Sequence, residues 1–321
     1  MPTISTVVCT YNRAPMLKKT LESLAAQKTG GLFTAEIVVV DDASTDNTRI
    51  IAEDFSMKAS LTVTYFLGEG MGYTHAVNKG LKEARGDWIV FFDDDQTADD
   101  NWLMELYLSA VNNGVLISGG RIVLCLPEKT NFHPGPVVRA LYGEYPIFRD
   151  LKKKNTKPEP PNGNRIINRK VYDETGGFDE SILTGGCDKD FITRALSKGF
   201  GFAYTDKAVV YHHIPDDRLN IGRIKHYSFQ IGSSMAYINR KNGGILNNIF
   251  WCVVRFIHGL TVNLTKFLTA YILGKKAEIN DNKARLWIME GYLRKTLCLL
   301  SPSLFGQKEF FNKIEFRRLR T

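Results

Sequence analysis

Residues 89–96 read "IVFFDDDQ", an apolar run that predicts a buried β-strand and ends in three consecutive aspartates, Asp93, Asp94 and Asp95. Adjacent carboxylates repel one another, and an unpaired carboxylate strongly resists burial. The end of this strand therefore needs a cation, a ligand or open water, and the rest of the chain has to show which of these it has.

Short β-branched runs alternate with helical patterns through the first hundred residues, which predicts an α/β fold with a mainly parallel, Rossmann-like central sheet flanked by helices. The strand candidates are "ISTVVCT" (4–10), "EIVVVD" (36–41), "LTVTYF" (61–66) and "WIVFFD" (88–93). In such sheets ligands bind beyond the carboxyl ends of the strands. We therefore expect Asp41, Asp42 and the triplet Asp93 to Asp95 to converge on one crevice.

Composition limits the class of protein. The chain has 321 residues, of which 44% are hydrophobic, enough for one large core with a smaller appended region. Its five cysteines are scattered without a CxxC pair, which argues against a disulfide framework and against a zinc cluster. No signal peptide is visible at the N-terminus, so we expect a cytoplasmic protein.

The positive charge belongs to the C-terminal third. Residues 218–321 carry 18 Lys and Arg against 5 Asp and Glu, a net charge of +13; because the whole chain is +8, residues 1–217 stand at −5. We predict a domain boundary here, with an α/β domain over 1–217 and a basic, helical extension over 218–321. Such asymmetry favours a separate surface role for the second part.

Within the extension, apolar residues recur at steps of three and four, which predicts an amphipathic helix over 245–273 and a second helix that Pro302 ends. We call the recurring residues the apolar stripe: Leu246, Phe250, Val253, Ile257, Leu260, Leu264, Phe267 and Tyr271. A basic amphipathic helix is typical of peripheral contact with a membrane surface. Because Arg255, His258 and Lys266 interrupt the stretch, we do not expect a spanning helix.

The apolar stripe has other possible partners. It could pack on the α/β domain, or it could form a homodimer. Nucleic acid is not favoured as a partner, because the aromatic residues are mixed into the stripe and no recognition motif accompanies the charge.

The segment "KKKNTKPEPPNGN" (152–164) is charged and rich in proline, which predicts a loop. We expect it to be mobile and to lie beside the crevice, where it could act as a lid.

The acidic triplet has two simple interpretations. "DDDQT" (93–97) fits the D-x-D-x-T pattern of haloacid-dehalogenase-like phosphatases, and it could also be a solvated acidic turn. The phosphatase motif usually follows the first strand of its core, whereas this triplet follows roughly the fourth. The phosphatase interpretation would also leave "VVVDDASTDNT" (38–48) without a role.

Five segments in the expected order closely resemble the family 2 glycosyltransferases of the GT-A fold. They are "VVCTYNR" (7–13), "EIVVVDDASTDNT" (36–48), "VNKGLKEARGDWIVFFDDD" (77–95), "GNRIINRKVYDETGGFDE" (163–180) and "GGCDKDFITRALSKG" (185–199). The resemblance covers about residues 4–214. It implies inverting transfer of a sugar from a nucleotide diphosphate sugar, with UDP favoured by family frequency, and dependence on Mg²⁺ or Mn²⁺.

A divalent cation suits the triplet chemically, because oxygen ligands bind Mg²⁺ and Mn²⁺, and the bound cation neutralises a diphosphate leaving group. On an extended backbone, Asp93 and Asp95 would project to one side and Asp94 to the other. The resemblance implies that Asp95 binds the metal, that Asp93 lies near the ribose or the metal's water shell, and that Asp94 supports the donor site, paired with a basic neighbour. His212, in "AVVYHHIP" (208–215), is a further metal or diphosphate candidate, or only a polar loop residue.

The resemblance also implies a site for the donor nucleotide. Its residues are Thr10, Tyr11, Arg13, Asp41, Asp42 and Arg85. The two aspartates would accept hydrogen bonds from the base and the ribose, and the threonine and tyrosine would wall the base. The arginines could contact phosphates or simply pair with acids.

Inversion needs a base on the face of the sugar opposite the leaving group. "GGCDKDF" (185–191) resembles the family's E-D-x-D segment, which puts Asp188 at the base position, with Asp190 and Asn164 at the donor sugar or acceptor. The simpler alternative for Asp188 is a helix-capping aspartate. Cys187 stands where the family usually has Glu, which leaves open a sugar-nucleotide-binding protein without turnover.

These expectations combine into one picture. We expect an inverting glycosyltransferase at the inner face of a membrane, with a saccharide or lipid-linked saccharide of envelope polysaccharide synthesis as its acceptor.

Overall fold

The computed structural model describes residues 1–130, 132–145, 160–182 and 186–305. Its strands are β1 (Thr3–Thr10), β2 (Thr34–Asp41), β3 (Thr62–Leu67), β4 (Trp88–Asp93), β5 (Gln96–Ala98), β6 (Ile117–Cys125), β7 (Arg165–Asn168) and β8 (Ala203–His213). They form one sheet in the order β3-β2-β1-β4-β7-β6-β8-β5. β7 is antiparallel to both neighbours and β5 is antiparallel to β8, while the remaining pairs are parallel.

The predicted strands and the predicted fold class are confirmed. β1, β2, β3 and β4 coincide with the four strand candidates to within two residues at either end. The middle of the sheet is buried on both faces, with Val7, Val8, Val39 and Val40 almost inaccessible to solvent. Strands covered on both faces have nearly continuous apolar sequences rather than alternating ones, which is why these runs could be recognised.

Helices cover the two faces and continue beyond the sheet. They are α1 (Ala14–Ala25), α2 (Thr48–Lys58), α3 (Tyr73–Glu83), α4 (Trp102–Asn112), α5 (Pro136–Leu141), α6 (Arg169–Thr175), α7 (Cys187–Ser197), α8 (Ile221–His258), α9 (Leu264–Ile272), α10 (Lys276–Leu300) and α11 (Pro302–Phe305). On one face of the sheet, α1 packs against β1 through Leu17 and Leu21. On the other face, Phe191 of α7 lies edge-on to Phe91 of β4, with ring centroids 6.1 Å apart.

The long helix α8 consists of two halves. At Gly244 the backbone is not helical, with φ 73° and ψ −175°, and the helix is kinked there. The second half folds back on the first. A hydrogen bond between the two halves shows this, in which Asn248 Nδ2 donates to the carbonyl oxygen of Ala236 at 2.7 Å. α10 packs against both halves, and the Tyr292 hydroxyl accepts hydrogen bonds from Asn239 and Asn248.

The apolar stripe faces outward. All its residues except Phe267 are exposed, and Leu246 and Tyr271 are 79% and 69% accessible. The residues buried on these helices are instead small or polar: Asn248, Cys252, Gly259, Asn263 and Ala270. The alternative in which the stripe packs on the α/β domain is therefore wrong.

The helical stretch Ile221–Ile272 contains an apolar segment of 18 residues, and only 17% of that segment is buried. By length and composition this stretch could cross a membrane. Length and composition alone do not show that the stretch crosses a membrane, so the expectation that it does not span one stays a prediction.

Candidate active site

The carboxyl ends of β1, β2, β4 and β8 lie along one edge of the sheet, which we call the carboxyl edge. The parallel register places Thr10 opposite Asp41 and Cys9 opposite Asp93. The loops that follow are joined, because Thr45 N donates to Asn12 Oδ1 at 2.7 Å. The structure thus brings both acidic segments to one place, as expected from the rule for parallel strands.

The chain turns at Asp94 and Asp95. β4 ends at Asp93 and β5 begins at Gln96, so the triplet is not one extended segment. The predicted alternation is therefore wrong: Asp94 Oδ1 and Asp95 Oδ2 both accept from Arg13 Nη1, at 2.7 and 2.6 Å. Asp94 does pair with a basic neighbour, as expected, and Arg13 pairs with acids.

Asp95 is the centre of the charged cluster. Besides Arg13, Arg218 Nη1 lies 3.1 Å from Asp95 Oδ2, and His212 Nε2 lies 3.3 Å from Asp95 Oδ1. Burial alone would raise the pKa of Asp95, but the positive charges of His212 and Arg13 outweigh it and hold the pKa below its usual range. Burial lowers the pKa of His212, yet Asp95 more than offsets this effect, so the imidazole is more easily protonated than usual.

Asp93 lies in a different environment. Its Oδ2 accepts a hydrogen bond from Gln96 Nε2 at 3.2 Å. Burial, followed by the negative charge of Asp95, raises the pKa of Asp93 to about 7. Gly163 covers this carboxylate with a φ of 69°, and a Cβ there would lie 2.4 Å from Asp93 Oδ2, so no other residue fits without displacing it.

Gly163 belongs to the end of the predicted loop. Residues 152–159 of that loop lie outside the described residues, so the expectation of a mobile lid stays a prediction. The described part begins at Pro160, whose carbonyl oxygen accepts from the Arg165 guanidinium at 2.5 Å. The end of the loop is thus fixed on the crevice beside Asp93.

The predicted metal ligands fit a divalent cation in chemical type. Asp93, Asp95 and His212 provide carboxylate oxygens and an imidazole nitrogen, and in the described part of the chain no arginine or lysine forms an ion pair with Asp93. A cation would supply the charge that this buried carboxylate lacks. Over the same residues, however, no three His, Cys, Asp or Glu side chains are arranged as a metal site. Asp95 would have to exchange an arginine for the cation.

The donor residues of the first two strands are buried. Asp41 is only 1% accessible; its Oδ1 accepts from Ser44 N at 2.8 Å and its Oδ2 from the Tyr65 hydroxyl at 2.9 Å. Asp42 Oδ2 accepts from Gly72 N at the start of α3, at 2.9 Å. Asp41 therefore orders the loop after β2 rather than projecting from it.

The loop after β1 completes this part of the site. Thr10 ends β1 and is buried, and among the described residues its hydroxyl has no hydrogen-bond partner. Tyr11 follows it at the surface of the crevice and is partly accessible. Both residues lie at the carboxyl edge, where the resemblance implies the nucleotide base.

Arg85 lies at the opposite edge of the sheet. It is exposed and precedes β4, and its backbone N–H donates to Glu36 near the start of β2. Parallel strands that begin together also end together, so Arg85 is a full strand length away from Asp93. The expected contact between Arg85 and a phosphate is therefore wrong. The motif in the sequence did not show at which end of β4 this residue lies.

Asn164 is a buried structural amide. It is 0% accessible, accepts from Trp102 Nε1 at 2.8 Å, and donates to the carbonyl oxygens of Arg121 and Ala208. These bonds join α4, β6 and β8. Because both ends of the amide are occupied inside the protein, the expected role in the sugar or acceptor pocket is wrong.

The first turn of α7 carries Asp188 and Asp190 in different surroundings. Asp188 is partly accessible, and because Gly186 is the N-cap residue of α7, the helix-capping alternative is wrong. Asp190 is 1% accessible and forms ion pairs with Arg194 and Lys241 at 2.7 Å. Asp190 is therefore not exposed to a sugar or an acceptor, contrary to its expected role.

Cys187 and Tyr73 connect α7 with the triplet. Burial, then the charge of Asp188, raises the pKa of Cys187 to about 12, so this thiol is neutral. Burial, followed by the negative charge of Asp93, raises the pKa of Tyr73 well above its usual range. Tyr73 thus lies close to Asp93, and it packs against the apolar cluster that contains Cys187.

Arg218 was not predicted as a site residue. It lies on the short 3-10 turn Asp216–Arg218 between β8 and α8, and the Tyr142 hydroxyl donates to its carbonyl oxygen at 2.5 Å. The only available signal was its position five residues after "HH" at the end of β8. The resemblance ends at about residue 214, and the predicted boundary assigned Arg218 to the extension.

A family model described as Glycosyl transferase family 2 matches residues 5–176, more than half of the chain. Among curated relatives, Glycosyltransferase AglE of Haloferax volcanii is 21% identical over 303 residues, covering 89% of this chain and 96% of that protein. Succinoglycan biosynthesis protein ExoM of Rhizobium meliloti is 24% identical, covering 71% of this chain and 72% of that protein.

Among solved structures, the mannosyltransferase PcManGT from Pyrobaculum calidifontis, in complex with GDP-Man and Mn²⁺, resembles this chain with a TM-score of 0.64. The match covers 92% of this chain and 87% of that one, at 16% sequence identity. At this identity the likeness concerns the fold alone, including the helices that follow the sheet.

Proposed function

The chain belongs to glycosyl transferase family 2 and has the GT-A fold, and on this basis we propose that it moves a sugar from a nucleotide diphosphate sugar to an acceptor hydroxyl with inversion. The observation that carries the proposal is the cluster of Asp93, Asp95, Arg13, Arg218 and His212 at the carboxyl edge. Such a cluster can bind a doubly charged diphosphate and its cation together, because it contains both signs of charge.

The donor nucleotide would bind across the ends of β1 and β2. Thr10 and Tyr11 would wall the base, and Asp42 would accept hydrogen bonds from the base or ribose, while Asp41 holds the loop in place. UDP is the nucleotide that we propose, on family frequency. PcManGT was solved with GDP-Man, so GDP-sugars belong in the same test.

The diphosphate would lie over the acidic triplet. Asp95, with His212 and Asp93, would hold Mg²⁺ or Mn²⁺, which when bound supplies positive charge to the leaving diphosphate. Arg13 and Arg218 pair with Asp95, and their guanidinium groups would donate to the phosphate oxygens of a bound donor. The two arginines would therefore balance the charge of both the carboxylates and the leaving group.

Asp188 would be the general base. A partly accessible carboxylate at the start of α7 can take the proton from the acceptor hydroxyl as it attacks the sugar. Cys187 cannot replace a carboxylate in this role, because burial keeps its thiol neutral and hidden. The base role therefore falls on Asp188 alone in this turn.

The acceptor would be a saccharide or lipid-linked saccharide at the inner face of a membrane. Its support is the apolar stripe, which exposes large side chains over α8 and α9 next to the basic residues of the extension. Burying an exposed Leu, Ile or Phe in an apolar phase contributes roughly 1.5–3 kcal/mol per side chain. Peripheral contact of the stripe with lipid would bring the carboxyl edge to acceptors made at that surface.

The test is a panel of UDP- and GDP-sugars offered to the full-length protein with Mn²⁺ or Mg²⁺, with release of nucleoside diphosphate as the measurement. We expect turnover of a particular donor that chelator suppresses and Asp188→Asn abolishes, and a product of inverted anomeric configuration by NMR. Turnover by Asp188→Asn at the wild-type rate would contradict the assigned base.

A second candidate, a nucleotide-sugar-binding protein without turnover, is favoured by the neutral thiol of Cys187 in place of a carboxylate. It predicts that calorimetry detects donor binding while no donor in the panel is consumed. The phosphatase interpretation of residues 93–97 is wrong, since the family match covers them and Asp95 is held by two arginines.

A further inference from the structure

Lys241, on the first half of α8, reaches across to the segment that begins α7. Its Nζ lies 2.7 Å from Asp179 Oδ2 and 2.7 Å from Asp190 Oδ1. Asp190 stands two residues after Asp188, in the same first turn of α7. A residue of the C-terminal extension therefore contacts the turn that carries the proposed base.

Asp190 needs this contact because it is almost fully buried. Its second oxygen accepts from Arg194 Nε at 2.7 Å, and Arg194 also donates to the carbonyl oxygens of Thr175 and Gly177. The cluster thus contains two carboxylates, on Asp179 and Asp190, and two cations, on Arg194 and Lys241. A buried carboxylate that loses one of its cations is strongly destabilised, so the turn must shift or take up a proton.

A second contact joins the same two elements. The hydroxyl groups of Ser181 and Tyr237 lie 3.4 Å apart, and Tyr237 is one helical turn before Lys241 on α8. Residues four apart share a helix face. This face of α8 is therefore turned toward the segment that leads into α7, and Lys241 is its charged contact.

We propose that Lys241 is a positioning residue that fixes the first turn of α7 and, through it, the carboxylate of Asp188. This rests on the proposed function for the role of Asp188, but the contact itself does not. Lys241 is only three residues before the kink at Gly244 and five before Leu246, the first residue of the apolar stripe. The helix that presents the stripe is thus the one that orders the base.

The test compares Lys241→Met with Arg240→Met, in the full-length protein. Arg240 is exposed on the adjacent position of α8 and forms no ion pair with the described residues, so its variant controls for the lost charge. We expect kcat to fall about tenfold or more in Lys241→Met, because small displacements of a reacting group are costly. KM for the donor and nucleotide affinity should stay within about twofold, since the carboxyl edge is unchanged.

Two variants separate positioning from general damage. Lys241→Arg retains the positive charge and should recover most of kcat. In a background of Asp190→Asn, Lys241→Met should lower kcat little further, because both changes remove the same ion pair between Lys241 and Asp190. A wild-type kcat in Lys241→Met, or an equal loss in Arg240→Met, would overturn the proposal.

Hydrogen exchange tests the contact without any activity. Backbone amides of residues 187–191 should exchange faster in Lys241→Met than in the wild type, and Arg240→Met should leave them unchanged. Unchanged exchange in Lys241→Met would overturn the proposal. Faster exchange in a protein that transfers no sugar would instead support the contact and count against the proposed function.

Discussion

The carboxyl edge of the sheet and the C-terminal helices distribute polar and apolar side chains in opposite ways. The sheet buries its apolar residues and gathers charge at one edge, where Asp95 is offset by Arg13 and Arg218. The C-terminal helices bury Asn248 and the Tyr292 hydroxyl and expose the apolar stripe. The first arrangement suits a charged ligand, and the second suits an apolar environment in which polar groups hydrogen-bond between helices.

Asp95→Asn should affect this comparison most, because it removes the charge at the centre of the carboxyl edge. Two largely buried arginines then lose a partner, which costs about 3 kcal/mol of unfolding free energy, and sugar transfer should fall at least about 100-fold. Denaturant unfolding and nucleotide release measure the two effects. The matched control is Asp100→Asn, whose partner Lys28 is exposed, and which should leave the unfolding free energy almost unchanged. Similar losses of unfolding free energy and of sugar transfer in both variants would contradict a central role of Asp95.

Arg218→Gln distinguishes the two edges of the sheet. Loss of its guanidinium should lower kcat/KM about 10- to 100-fold, because a charge-assisted contact to the diphosphate is removed, and Arg218→Lys should retain part of the activity. Steady-state kinetics with the best donor measures this. Arg85→Gln, at the opposite edge, should change kcat/KM by less than about twofold. If Arg85→Gln were as impaired as Arg218→Gln, the assignment of the site to the carboxyl edge would be contradicted.

The apolar stripe can be changed without touching the sheet. Replacing Leu246, Phe250 and Ile257 together by Ser should lower partitioning onto phosphatidylglycerol vesicles at least about tenfold, given the apolar area that would be lost. Unfolding free energy should change by no more than about 0.5 kcal/mol per site, because these side chains are exposed. Vesicle flotation and denaturant unfolding are the measurements.

The matched control for the stripe replaces Ile50 and Met57 by Ser. Both are exposed apolar residues of α2, on the α/β domain, and should leave vesicle binding unchanged. Wild-type partitioning of the triple variant, together with a change from dimer to monomer in sedimentation, would assign the stripe to a homodimer instead.

The smallest expected effect concerns pH. The pKa of Asp93 is about 7 in the folded protein, above the value of 3.8 for a free side chain. The folded state therefore binds a proton that the unfolded chain releases, so this contribution to stability is complete below about pH 4 and is lost as pH rises through about 7. In chelator, the unfolding free energy of the wild type should fall between about pH 5 and about pH 8 by on the order of 1 kcal/mol more than that of Asp93→Asn. Parallel pH profiles would contradict the raised pKa.

The local sequence was enough to predict the strands of the sheet and the convergence of the acidic segments at one edge. Strands β1, β2 and β4 are buried on both faces, so their apolar runs are continuous, and parallel strands necessarily end at one edge. The ion pairs of Asp94 and Asp95 could not be predicted in this way. Asp94 and Asp95 turn because Arg13, about eighty residues earlier, binds both, and no local pattern encodes that contact.

The errors at Asn164 and Asp190 have one cause. Both residue types serve equally well at a ligand or inside the protein, and the choice depends on partners distant in sequence, such as Trp102 for Asn164 and Lys241 for Asp190. The exposure of the apolar stripe was undecidable for a similar reason. A period of three and four residues predicts that a helix has an apolar face, but it does not say what covers that face.

The position of Arg218 matters for chimeric proteins in which the C-terminal extension is replaced by that of a relative. Its side chain reaches Asp95, and its backbone is held by Tyr142 at the end of α5, which is itself fixed at its start by hydrogen bonds from Val137 and Val138 to Asp281 of α10. A chimera that receives its C-terminal helices from a relative would also receive a new partner for Asp95 and a new support for α5. Transplanting the extension would therefore alter the carboxyl edge of the sheet as well as the C-terminal helices.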